Sequence, residues 1–247
     1  MPTTLNVRAL LLDMDGTLVD STAVVEGTWT RFAQRHGLDS THVLASAHGR
    51  RTEETVRLFV PKGVNIADET ARIVAEELMD LDGIVAVPGA LTLLQALGDA
   101  PWAVVTSASA ELAKRRLLAA GLPLPAHLIA ADDVSAGKPA PDGYRLAATL
   151  LGVPPSDCLA VEDAPAGLRA AQAAGCQVLA VATTLAPEVL SSEPWVNDLR
   201  ALEVLGVNPD GLLLRIIPAE AWAFQRPGSG WQPAGRRPGQ GHSGTGR

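Results

Sequence analysis

The sequence predicts an α/β protein: a doubly wound, Rossmann-like parallel sheet, an all-helical insert after the first strand, and a C-terminal hairpin. Three patterns carry this expectation. From Ile84 to Ala182 short apolar runs alternate with helical patterns, which implies right-handed crossovers and a sheet covered on both faces. From Ser21 to Leu81 the apolar spacing is helical, with no strand pattern. Near the end, Val204–Val207 and Leu212–Ile216 flank Asn208-Pro209-Asp210-Gly211, a sequence suited to a hairpin turn.

The elements follow in order. Ala9 to Leu12 is an apolar run, the mark of a strand buried on both faces. Val25, Trp29, Phe32 and His36 lie three and four apart, and Gly37 is a natural helix stop. After the polar break from Ala47 to Thr52, a second helix runs through Val56 and Phe59. A third carries Ala71, Val74, Leu78 and Leu81 on one face. Pro88-Gly89 opens a helix that runs through Leu97. Trp102–Val105, His127–Ala130, Cys158–Val161 and Gln177–Ala182 read as strands, separated by helices over Glu111–Ala120, around Tyr144, and from Pro165. Proline suits the first helical position, where no N–H is required. Asp20–Thr22 and Asp82–Pro88 are the expected linkers. The organisation expected is a core of residues 1–19 and 84–217, a helical domain of 20–83, and a tail of 218–247. The tail is rich in Gly, Pro and Arg, too poor in apolar residues to offset its ordering entropy, and is expected to be disordered.

Composition narrows the classes. The 247 residues are 47% hydrophobic and 19% charged, enough for a full soluble core. A net charge of −7 argues against a general nucleic-acid binder. The two cysteines, Cys158 and Cys176, sit beside strand-like runs and read as small core residues of a reducing compartment. The five histidines show no paired ligand spacing. No signal-peptide pattern opens the chain, and no apolar run approaches the roughly 20 residues that span a bilayer. A cytoplasmic protein with no membrane partner is expected, monomeric by default.

Four strand ends carry polar groups. Asp13 and Asp15 stand one residue apart at the end of the first buried strand, followed by Gly16. Ligands bind at the carboxyl ends of parallel strands, and two acids placed there favour a cation between them. One carboxylate can attack an electrophile while the other handles a proton. Thr106 and Ser107 end the next strand, Lys138 follows the third, and Glu162-Asp163 ends the fourth. Singly, these residues also read as a helix cap, a solvated loop lysine, and acids favouring a helix N-terminus. Together they suit phosphoryl transfer, which demands positioning and charge neutralisation. Hydroxyls hold phosphate oxygens, a lysine neutralises developing charge, and acid pairs hold a hard ion such as Mg²⁺.

Asp13-Met14-Asp15-Gly16-Thr17-Leu18-Val19-Asp20-Ser21 resembles the first motif of the haloacid-dehalogenase-like (HAD) superfamily in its phosphatase form. Gly137-Lys138-Pro139-Ala140-Pro141-Asp142 resembles the third motif, and Val161-Glu162-Asp163-Ala164-Pro165-Ala166-Gly167 the fourth. The likeness covers roughly Val7 to Leu205. The insert resembles the small α-helical cap of the subgroup that contains sugar phosphatases and β-phosphoglucomutase. The cap from Trp29 to Gly37, with His48-Gly49, is similar to that of bacterial sugar phosphatases of broad specificity.

The resemblance implies an Mg²⁺-dependent phosphatase of small phosphorylated metabolites, hydrolysing sugar or polyol phosphates through an aspartyl-phosphate. It implies Asp13 as nucleophile, Asp15 as acid/base, and Lys138 as the bridge between nucleophile and phosphate. Asp13, the Asp15 carbonyl and Asp163, assisted by Glu162, would hold the metal. The second-motif hydroxyl is Thr106 or Ser107. Gly49, Arg50 and Arg51 fall in the cap loop that faces the site, as substrate contacts or as solvated cations.

Four other readings are weighed against it. A receiver-type phosphoacceptor domain shares the acids, hydroxyl and lysine, but lacks the insert, the Gly-Thr after the acids and this length. A dehalogenase of the same superfamily would want a non-acidic residue at position 15. A nucleotide-dependent oxidoreductase would carry Gly-x-Gly-x-x-Gly after the first strand. A β-phosphoglucomutase-like phosphotransferase would carry a histidine in the first cap helix where Val25 stands. His36 and His48 lie elsewhere in the cap. Net hydrolysis is therefore expected.

Overall fold

A computed structural model describes residues 2–184, 186, 193–208 and 211–217. The chain opens with β1 (Thr3–Val7), which the sequence reading passed over, and continues into β2 (Ala9–Leu12). The two-residue strand β3 (Val19–Asp20) leads into the insert. This holds four helices: α1 (Thr22–His36), α2 (Ser40–Ala47), α3 (Thr52–Phe59) and α4 (Ile66–Met79). Three were expected. The extra one, α2, spans only 8 residues and starts at Asp39, whose carboxylate accepts the Thr41 N–H at 2.9 Å. Asn65 caps α4 in the same way, and Gly37 ends α1 at a φ of 64°.

The strand β4 (Val85–Ala86) pairs antiparallel with β3. The expected linkers are thus a small two-stranded ribbon. The chain then alternates through α5 (Ala90–Leu97), β5 (Trp102–Val105), α6 (Ala110–Ala119), β6 (Leu128–Ile129), α7 (Asp142–Leu150), β7 (Cys158–Glu162), α8 (Pro165–Ala174) and β8 (Gln177–Val181). It ends its described course with β9 (Trp195–Val196), β10 (Leu202–Asn208) and β11 (Gly211–Ile216).

The main sheet has six strands in the order β6-β5-β2-β7-β8-β9, all parallel. β2 is central, with Leu12 opposite Val104 on one side and Val161 on the other. Its four residues are all buried, because helices cover both faces. Leu10 and Leu12 face a core shared with α5, α6 and the hairpin. Ala9 and Leu11 face a second core with α7 and α8. The expected hairpin of β10 and β11 is present, but β1 adds to it, giving the antiparallel order β1-β11-β10.

The insert has its own apolar cluster of Trp29, Phe32, Ala33, Val43, Ala47, Val56 and Ile73. The expected tail, 218–247, lies outside the described residues. Among those described, no helix is long and apolar enough to cross a membrane.

Candidate active site

The site lies at the carboxyl ends of the central strands, under the insert. Past β2 the Asp13 N–H still bonds the Val161 carbonyl at 3.0 Å, so Asp13 is held as though the strand continued. The chain then folds back sharply: the N–H groups of Leu18 and Val19 both reach the Met14 carbonyl, at 2.8 and 2.9 Å. Gly16 makes this loop possible. Its φ is 82°, and a Cβ there would stand 2.1 Å from Asp163 Oδ2.

Asp13, Lys138, Glu162 and Asp163 meet in a buried cluster. Lys138 Nζ donates to Asp13 Oδ1 at 2.5 Å and to the Val105 carbonyl at 3.0 Å, and lies 2.6 Å from Glu162 Oε1. The Tyr144 hydroxyl, from α7, also donates to Glu162 Oε1, at 2.5 Å. Burial opposes the lysine's charge, but Asp13 and Glu162 outweigh it and hold the ammonium above its ordinary range. Burial, then the charges of Glu162 and Asp163, push the Asp13 carboxyl well up against the opposing pull of Lys138. Burial and Glu162 push Asp163 up to about 7.

This cluster fits a divalent cation. Asp13, Glu162 and Asp163 each offer an oxygen, all within 4.8 Å of one another. Glu162 Oε2 is buried with no hydrogen-bond partner, an orphan that a cation would satisfy. An all-oxygen, carboxylate-rich donor set suits a hard ion such as Mg²⁺. Gly167 makes room for Glu162: a Cβ there would stand 1.9 Å from Glu162 Oε1.

Asp15 is placed differently. Its carboxylate lies outside the acidic trio, among the residues that line the pocket. Ser21 Oγ donates to Oδ1 at 2.6 Å, and Arg116 Nη1 donates to Oδ2 at 2.8 Å. The other arm of Arg116 donates to Glu77 Oε1 at 3.0 Å. Burial raises the Glu77 carboxyl despite Arg116.

Asp13, Asp15, Thr106, Ser107, Gly49, Arg50 and Asp163 all line one pocket. Thr106 is buried, and its hydroxyl oxygen accepts the Ala108 N–H at 3.1 Å. Ser107 Oγ donates to the Gly49 carbonyl of the insert at 2.9 Å. Arg51 takes another place: its guanidinium donates to the carbonyls of Val134, at 2.7 Å, and Ser135, at 3.3 Å. It lies outside the lining of this pocket and clasps the loop that leads to Lys138. Val25 lines the pocket, and so does His48, which sequence reasoning had set apart from it. Burial lowers the His48 imidazole from its usual range.

Sequence reasoning missed Ser21, Glu77, Arg116, Tyr144 and Thr184, the last of which lines the pocket and hydrogen-bonds Asp163. Ser21 closes the first motif, six residues past Asp15. Arg116 left a fainter signal: it shares the buried face of α6 with Leu112, Ala113 and Leu117, where a cation is out of register with the apolar pattern. Tyr144 sits on an apolar helix face, and Thr184 follows a strand end. Neither carries a pattern that separates it from core or loop.

A central strand thus ends in Asp-x-Asp, and a lysine and an acid pair converge on it. The chain belongs to the haloacid dehalogenase-like hydrolases, whose family model matches residues 7–175. It is 46% identical over 178 residues to hexitol phosphatase A of Escherichia coli, covering 70% of this chain and 82% of that one. It is 34% identical over 225 residues to glycerol-1-phosphate phosphohydrolase 2 of Saccharomyces cerevisiae, covering 85% and 89%. Among solved structures it resembles CbbY of Rhodobacter sphaeroides in complex with phosphate. The TM-score is 0.65 at 26% identity, over 78% of this chain and 95% of that one.

Proposed function

We propose that this phosphoric monoester hydrolase acts on small sugar or polyol phosphates, with Asp13 as nucleophile and Mg²⁺ as cofactor. One observation carries the reading: the Asp13–Lys138 pair, at 2.5 Å, ends the central strand beside two further buried acids. The substrate class rests on the relatives, whose names include a hexitol phosphatase, glycerol-1-phosphate phosphohydrolases and 2-deoxyglucose-6-phosphate phosphatases.

In this reading an Asp13 oxygen attacks phosphorus and the bond from phosphorus to the sugar oxygen breaks. Asp15 gives that oxygen a proton. Water then attacks the aspartyl-phosphate, Asp15 takes its proton, and phosphate leaves with Asp13 restored. Lys138 keeps its charge throughout and neutralises the phosphoryl oxygens. Asp13, Glu162 and Asp163, with the Asp15 carbonyl, would hold Mg²⁺, which when bound offsets the charge of the acids and the phosphate. Thr106 accepts the Ala108 N–H and keeps its own O–H free to donate, whereas Ser107 gives its single O–H to the Gly49 carbonyl, so Thr106 is the second-motif hydroxyl for phosphate. Residues 20–83 act as the cap over a core of 1–19 and 84–217, and Gly49 and Arg50 bring the cap loop to the substrate.

Valine at position 25 offers no hydrogen bond or proton for a mutase's sugar exchange. The reading is therefore tested with a panel of sugar, polyol and glycolytic phosphates, in Mg²⁺ and in excess chelator. The panel includes β-glucose 1-phosphate with a trace of its 1,6-bisphosphate. The expected result is Mg²⁺-dependent release of inorganic phosphate. Full activity in chelator contradicts the metal, and glucose 6-phosphate forming faster than phosphate contradicts hydrolysis.

A further inference from the structure

Several contacts join the insert to the sheet domain. Arg51 donates to the carbonyls of Val134 and Ser135, Ser107 to that of Gly49, and Arg115 Nη1 to that of Leu78 at 3.2 Å. All of these end on backbone. Arg116 differs. It belongs to α6 of the sheet domain and is only 2% exposed. One arm reaches Glu77 on α4 of the insert, itself 4% exposed, and the other reaches Asp15. Thr52, at the start of α3, holds the second Glu77 oxygen at 3.4 Å, so the glutamate is fixed from within the insert.

The consequence is mechanical. Among the described residues each Asp15 oxygen has one holder: Ser21 on Oδ1 and Arg116 on Oδ2. The guanidinium is planar, and its two arms act as one rigid fork. While Glu77 occupies one arm, the other is aimed at Asp15. If α4 lifts with the insert, Arg116 loses one of its two carboxylates, and Asp15 loses the fixed direction of one of its two contacts. We propose that Arg116 is a positioning residue that ties the seating of the helical insert over the pocket to the placement of the Asp15 carboxylate. The proposal rests on the reading of Asp15 as acid/base. It adds that the acid/base is set in place only when the insert is seated.

The test compares kcat on two substrates at saturation, glycerol 1-phosphate and p-nitrophenyl phosphate. A glycerol alkoxide needs a proton to leave, whereas a nitrophenolate hardly does. The variants are Arg116→Gln, Arg116→Lys, Glu77→Gln, Asp15→Asn and the Asp15→Asn/Arg116→Gln double variant. Arg116→Gln is expected to lose about 100-fold on glycerol 1-phosphate, the scale of a misplaced reacting group, and far less on p-nitrophenyl phosphate. Glu77→Gln shifts the ratio of the two rates the same way by a smaller factor, and Arg116→Lys recovers part of the loss. The double variant is no slower than Asp15→Asn, because a residue acting through Asp15 has nothing left to act on. Equal losses on both substrates, or a double variant falling well below Asp15→Asn, overturn the proposal. Should Arg116→Gln fail to fold, an unchanged ratio in both Glu77→Gln and Arg116→Lys overturns it equally. Equal losses in Asp15→Asn alone overturn the acid/base reading itself, and the proposal with it.

Discussion

At the scale of single residues, two glycines set the chemistry as firmly as the acids do. Gly16 and Gly167 stand where any Cβ would press into the carboxylates of Asp163 and Glu162. Gly167 has an ordinary helical place on α8, so Ala there changes nothing in the backbone and acts only on Glu162. Gly167→Ala is expected to displace Glu162, and with it the metal. Since groups around a metal site commonly account for about 10- to 100-fold in affinity or activity, the Mg²⁺ concentration for half-maximal rate should rise within that range. An unchanged Mg²⁺ dependence contradicts the role given to Glu162. The acids themselves were legible in the sequence because each ends a strand, and strand ends of a parallel sheet share one edge. Glu77 and Arg116 were not legible. Their partners lie 39 and 101 positions away along the chain, and nothing local marks such a pairing.

At the scale of elements, what could be read depended on how much of each signal was local. β2, β5 and β7 are continuous apolar runs ending in polar residues, and their bounds fall within a residue of expectation. α1 shows both its periodicity and its glycine stop. The elements that were missed are short or depend on distant partners. β3 and β4 are two residues each and exist through each other. β9 is two residues paired to β8. β1 alternates, with Leu5 and Val7 buried and Thr4 and Asn6 exposed, a period-2 pattern too brief to stand out beside the longer apolar runs. Its place is given by β11, more than 200 residues away, where Leu5 lies opposite Leu214. Such long-range pairing has no local trace. The loop carrying Gly49, Arg50 and Arg51 shows the limit from the other side. Adjacent arginines look alike in the sequence, yet Arg50 lines the pocket while Arg51 holds the loop before Lys138.

At the scale of the whole molecule, the acidic cluster couples stability to metal and pH. Without a cation, folded Asp13 and Asp163 have raised pKa values, Asp163 about 7, against an ordinary 3.8. Between those values the folded protein keeps protons that the unfolded chain has shed, so this pair lowers stability as pH rises. A bound cation needs both groups ionised and favours the folded state by mass action. Mg²⁺ is therefore expected to raise Tm, and by more at pH 7.5 than at pH 5.5. A shift that is absent, or larger at the lower pH, contradicts the placement of the metal among these acids.

The central claim is that Asp13 is the attacking group, and the most direct measurement replaces it with its neutral isostere. Phosphate release from glycerol 1-phosphate is compared for the native protein and Asp13→Asn at saturating Mg²⁺, with circular dichroism confirming that both are folded. Loss of a nucleophile costs many orders of magnitude, so turnover in Asp13→Asn is predicted to fall by at least about a thousand-fold. A folded Asp13→Asn protein that turns over within about ten-fold of the native rate, against the losses seen when nucleophiles are removed, would contradict it.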